Sequence, residues 1–203
     1  MRKHYIFTLS LLLILISWSS MAYALEEKDK TVIYQVTIHS NAGDLISYTA
    51  YAIAAQEKTG YWLQRTTATQ PDSKPLSITQ TLLDNKTHQP LRYIMHRPAN
   101  MQRPENVIDF PLEQMGTDEV LPTLITEDFA DAGRIQVAAG TFKVQQAHIG
   151  GQTLWVSPDV PVLGVVKAET ADWTMELVRI DPQAIDLLPK KPQKGGIVYL
   201  NEK

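Results

Sequence analysis

Residues 32–68 read VIYQVTIHSNAGDLISYTAYAIAAQEKTGYWLQRTTA, and this stretch decides the fold. Val32, Tyr34, Val36 and Ile38 alternate with Ile33, Gln35, Thr37 and His39, the period-2 pattern of a strand. Asn41-Ala42-Gly43-Asp44 is a turn signal. A second strand runs from Leu45 to Ala55, with Tyr48 and Tyr51 on opposite faces. Glu57-Lys58-Thr59-Gly60 reverses the chain and Tyr61 to Ala68 returns. Long adjacent strands joined by short turns make an antiparallel meander.

The rhythm continues outward. Gln70 to Pro75 is a polar loop with two prolines, and Leu76 to Leu83 is strand-like again. Asp84-Asn85-Lys86-Thr87 turns it, and Leu91 to His96 follows. Met95 to Pro111 carries three prolines and reads as a long loop with an extended piece at Val107 to Phe110. Between Thr117 and Phe129, Val120, Leu121, Leu124 and Ile125 recur at helical spacing. Pro122 limits that helix to a few turns. The helical and proline-rich insert spans about 97–131. Arg134–Ala138 and Thr141–Ile149 flank Ala139-Gly140, a hairpin connection. Gly150-Gly151 leads into Gln152–Ser157, and Pro158-Asp159-Val160-Pro161 makes a corner. Val165–Glu169 and Trp173–Ile180 close the pattern. The expected fold class is mainly β (α+β), a single curled antiparallel sheet or half-barrel with one short helical insert.

The ends of the chain are different. Met1-Arg2-Lys3-His4 is basic, Tyr5 to Ile16 is mostly apolar, and Ala22-Tyr23-Ala24 is a small-x-small site. These are the three parts of a secretory signal peptide. Residues 1–24 are therefore expected to be removed, and residues 25–180 to form one β-rich domain. Residues 181–203, with Pro182, Pro189 and Pro192, read as an extended tail. The apolar run is short for a membrane span, so the mature form is expected not to span a membrane. The periplasm is the expected compartment, with secretion an alternative.

Of 203 residues, about 179 follow the cleavage point, enough for one core. Losing Arg2 and Lys3 with the signal leaves 17 basic against 22 acidic residues, a charge of −5. That balance, with no basic block, argues against nucleic acid. The chain has no cysteine, which excludes thiolate zinc sites, iron–sulfur clusters and cysteine nucleophiles.

Ala139-Gly140-Thr141-Phe142-Lys143-Val144, then Thr153-Leu154-Trp155-Val156-Ser157-Pro158-Asp159-Val160-Pro161 and Gly164-Val165-Val166-Lys167-Ala168-Glu169, resembles a pattern in exported bacterial β-rich domains of unknown function. These in turn resemble the periplasmic lipoprotein-carrier superfamily, the LolA/LolB-like half-barrels. The resemblance implies a curved sheet, covered by helices, that holds an acyl chain or other apolar ligand. The same motif has an architectural reading. Gly140 frees a tight turn, Phe142 and Trp155 form a cross-strand aromatic pair, and Pro158 and Pro161 fix a corner.

No pattern calls for a metal, a cofactor or a catalytic residue. His39, His88, His96 and His148 lack metal-ligand spacing. Ser157, His148 and Asp159 have the right types for nucleophilic catalysis, but Ser157 has no glycine-flanked elbow. Glu105, Asp109, Glu113, Asp118, Glu119, Glu127, Asp128 and Asp131 cluster around the insert and read as a solvated face. Tyr48, Trp62, Tyr93, Phe142 and Trp155 are the candidate ligand-facing residues if the curve is open. Arg92 and Arg97, with Arg103 nearby, are candidate anion contacts. The leading expectation is a non-enzymatic binder of a lipid, another apolar or amphipathic ligand, or an envelope protein segment. The rivals are an envelope module docking a partner through a sheet edge and a hydrolase with an acidic site.

Overall fold

The computed structural model describes residues 29–99, 106–110, 112, 129–187 and 193–194. The expected signal, and the expected helix up to residue 128, lie outside the described residues. Twelve strands form one sheet: β1 (Thr31–Ile38), β2 (Leu45–Gln56), β3 (Gly60–Ala68), β4 (Ser77–Asp84), β5 (Pro90–Arg97), β6 (Asn106–Phe110), β7 (Ala130–Val137), β8 (Gly140–Ile149), β9 (Gln152–Val156), β10 (Val165–Glu169), β11 (Trp173–Asp181) and β12 (Gln193–Lys194). The spatial order is β12-β6-β5-β4-β3-β2-β1-β11-β10-β9-β8-β7. Eleven strands pair antiparallel, and β12 joins β6 in parallel through two residues. The sheet curls without closing into a barrel, and among the described residues there is no α-helix.

The local chemistry accounts for the turns. Gly150 and Gly151 have φ of 56° and 81°, which suits a two-residue hairpin between Ile149 and Gln152. The Asp84 carboxylate accepts from the backbone N–H groups of Lys86 and Thr87, each at 2.8 Å. Those bonds pull its pKa down. The β7–β8 connection is Ala138-Ala139, one residue earlier than expected, because Val137 pairs with Gly140.

The inside of the curl is filled. Val32 and Tyr34 of β1, Tyr51 of β2, Val144 of β8, Leu154 of β9, Val166 of β10 and Leu177 of β11 form one buried cluster. The proline corner turns inward and adds Val160, fully buried, with Val162 and Leu163. Each such side chain contributes about 1.5–3 kcal/mol of burial. Tyr34 donates its hydroxyl proton to the Val165 carbonyl at 2.9 Å, tying β1 to β10 across the curl.

The buried face changes at β3. Tyr61 and Leu63 point into this core, whereas Trp62, between them, joins Leu82, Ile94 and Val107 in a second cluster. Alternation along a strand sends neighbours to opposite faces, so strands β3–β6 also bury apolar residues on the side opposite to the curl's interior, while Leu83 of β4 stays with Tyr61 and Leu63 inside.

Candidate functional site

On that opposite face, β1–β3 form the floor of a cleft of about 280 Å³. Thr31 and Ile33 pair with Ala52 and Ala50, which pair in turn with Gln64 and Thr66. All six therefore share one face. Two alanines in alternate positions keep the floor low. One wall is the loop at Pro71, Asp72, Ser73 and Pro75, and the other is the segment Gln183–Leu187. Arg179 lies at the mouth, where its Nη2 donates to Asp72 at 2.6 Å and to Asp181 at 3.1 Å. These hydrogen bonds hold Asp72 below the usual carboxylate range and raise Arg179 further.

The segment Gln183–Leu187 crosses the strands instead of pairing beside one. Thr31 Oγ1 donates to the Gln183 carbonyl at 2.8 Å. Gln64 Nε2 donates to the Ile185 carbonyl at 2.9 Å, and its Oε1 accepts from the Leu187 N–H at 2.9 Å. Gln80 Nε2 donates to Gln64 Oε1 at 2.9 Å and to Asp186 Oδ1 at 2.8 Å. Gln64 and Gln80 pair across β3 and β4 and are only 3% and 4% exposed. Burying a primary amide is costly unless it is hydrogen-bonded, and here the tail supplies the partners. Gln193 and Lys194 then pair with Ile108 and Asp109 at the β6 edge.

Sequence reasoning missed Gln64 and Gln80. The signal available was a glutamine at mid-strand in each of two consecutive strands.

The five aromatic candidates lie on both faces, and none lines this cleft. Tyr48 flanks it, opposite Ala68, and donates to Gln35 Oε1 at 3.2 Å. Trp62 lies in the second cluster and donates to Glu57 Oε1 at 2.6 Å. Tyr93 stands 6.0 Å from Phe110. Phe142 packs on the curl's core. Trp155 lies 5.4 Å beneath the Lys167 ammonium. Phe142 and Trp155 are not cross-strand partners, since Phe142 pairs with Ile135 and Trp155 with Gln146 and Lys167.

The structure does bring Arg92 and Trp62 together, with the guanidinium 5.6 Å from the ring. Arg92 is also engaged by Asp109 at 2.7 Å, which raises its pKa. Arg97 is exposed at the end of β5, and Arg103 lies outside the described residues.

Ser157 is 2% exposed, and its hydroxyl accepts from the Asp159 N–H at 3.3 Å. His148 contacts Thr153 and Gln146, each at 3.0 Å. His39 bridges Asp44 and Thr174. Of the acids singled out above, Asp109 and Asp131 are described. Asp131 caps the Gly133 N–H at 2.9 Å at the bulge in β7. Bulges and exposed charges blunt an edge against strand addition. Among the described residues no three His, Asp or Glu side chains are grouped to hold a metal ion, and no helix is long and apolar enough to cross a membrane.

No protein-family model matches the chain, and no curated protein matches it. Among solved structures, the chain is similar to a DUF1329 family protein from Desulfovibrio piger. The identity is 12%, the match covers 80% of this chain and 89% of that one, and the TM-score is 0.33.

Proposed function

We propose that this is an exported, non-enzymatic binding protein of the cell envelope. It holds an apolar or amphipathic ligand, or a segment of an envelope protein, in the cleft over β1–β3. The observation that carries this reading is the division of labour between the two faces. The interior of the curl is occupied by Val160, Val162, Leu163 and the strand side chains around them. The opposite face keeps a concavity of about 280 Å³, near the lower end of ligand sites. Its lining mixes apolar floor residues with the buried amide of Gln64 and the Arg179–Asp72 pair. That combination suits a ligand with one apolar side and polar groups at fixed places. The resemblance of residues 139–169 to exported β-rich domains that in turn resemble the lipoprotein carriers supports binding as the class of activity, with the site on the other side of the sheet.

The test is to express the full chain, purify the exported form, and record native and denaturing mass spectra. The reading expects a chain beginning at Leu25 and an extra native mass that is lost on denaturation. Retention of residues 1–24 would overturn the export part. A ligand-free native mass from every preparation would overturn binding of a small retained ligand.

A further inference from the structure

Resting on the reading of this face as a binding surface, we infer that its ligand is an extended polypeptide with an apolar–acidic–apolar core. The segment Gln183–Leu187 is then the chain's own version of that ligand, standing in the groove. Gln64 meets it as a neighbouring strand would. One amide donates to the Ile185 carbonyl and accepts from the Leu187 N–H. Those two contacts read the backbone at positions i and i+2 and no side chain. Between them, Gln80 Nε2 takes the carboxylate of Asp186, which supplies the selectivity for an acidic centre.

Three observations make this segment exchangeable. First, the buried amides need partners, because an unbonded buried donor or acceptor loses its solvation without return. The groove therefore trades one extended backbone for another and does not stand empty. Second, the segment is held by hydrogen bonds with its apolar side chains only partly covered: Ile185 is 58% exposed and Leu187 37%. Third, open volume remains beside it over Ala50, Ala52 and Ala68, walled by Pro71 and Pro75. A partner that made the same backbone contacts and also filled this space would have more apolar contact than the resident segment. The occupant is thus a separate protein's extended segment, docked by the strand-like contacts that recur in peptide recognition.

The experiment uses the full mature chain and a fluorescent peptide with the sequence of residues 182–188, read by anisotropy. Leu187→Pro removes the N–H that the chain's own segment gives to Gln64 and leaves the groove intact. Peptide affinity should rise roughly tenfold over the parent, the worth of about one buried hydrogen bond. In that background Gln64→Leu should abolish binding. Gln64→Glu should weaken it strongly by losing the donor and repelling the acid, and it guards against a misfolded Leu variant. An Asp186→Ala peptide should bind about fivefold more weakly. Equal affinity for parent and Leu187→Pro, or binding indifferent to both Gln64 changes, would overturn the inference. So would a concentration-dependent dimer that excess peptide dissolves, which would assign the groove to a second copy's tail. A small amphiphile retained in native spectra with no peptide binding would sink this inference alone and leave the binding function standing.

Discussion

Tyr34→Phe isolates the bond that ties the curl across its interior. Tyr34 is fully buried, and its hydroxyl meets the Val165 carbonyl at 2.9 Å over 131 residues of sequence. Burial also raises its pKa well above the ordinary tyrosine value, with Tyr51 adding to the effect. The substitution keeps the ring, which makes an edge-on contact with Tyr51 at 6.0 Å, so no cavity opens. What is lost is one buried hydrogen bond, about 0.5–1.5 kcal/mol net. In urea unfolding the midpoint should fall with the slope unchanged. In a thermal scan each kcal/mol should lower Tm by about 2–4 °C for a chain of this size. Tyr34→Ala removes the ring as well and should cost about 3–5 kcal/mol. A Tyr34→Phe protein within about 0.3 kcal/mol of the parent would refute the reasoning, because 1 ± 0.5 kcal/mol is the ordinary worth of such a bond. An apolar dye taken up by the folded parent and displaced by Val160→Trp would refute the filled interior itself.

Two further outcomes follow from the β3–β4 end of the sheet. A Cβ on Gly60 would fall against the Leu83 carbonyl, closer than real side chains approach. Gly60→Ala should therefore force the strands apart and cost about 1–3 kcal/mol by thermal unfolding, and a neutral result would contradict the close approach. His88, at φ 54°, is buried against Tyr61, whose hydroxyl lies 3.1 Å from Nδ1. Burial lowers its pKa, partly offset by Asp84. The unfolded chain therefore binds the proton more readily. The stability from the neutral ring is present above about pH 6.5, the unfolded value. It is lost as pH falls through that value toward the depressed folded one. His88→Asn keeps a residue that tolerates positive φ and should flatten the stability profile below about pH 6.5; an unchanged slope would remove His88 as its source.

The meander was legible because alternation is a local property. Val32 to Ile38, Leu45 to Ala55 and Tyr61 to Ala68 each carry their strand assignment within themselves, and the observed strands coincide with them to within a residue or two. Which face is buried is not local. Tyr61, Trp62 and Leu63 are consecutive and apolar, and only the packing of β4–β6 on one side and β8–β11 on the other sends them to different cores. Register is not local either. β8 buries Val144 and then Ala147, three residues apart, so its pattern changes phase in the middle. The register, counted from the two-residue turn at Gly150-Gly151, sets Trp155 opposite Gln146, four residues away from Phe142. The candidate site was the least legible part for the same reason. Glutamine is usually solvent-facing, and nothing in the local sequence marks Gln64 or Gln80 as an exception. They are buried because a tail more than a hundred residues away crosses them. A mid-strand amide among apolar neighbours is thus ambiguous in sequence. It is either on the wet face, or it is waiting for a backbone that the local sequence does not contain. Here Ala50 and Ala52, small residues on the strand next to Gln64, favour the second possibility, since a low floor beside a buried amide leaves room for a chain to lie across it.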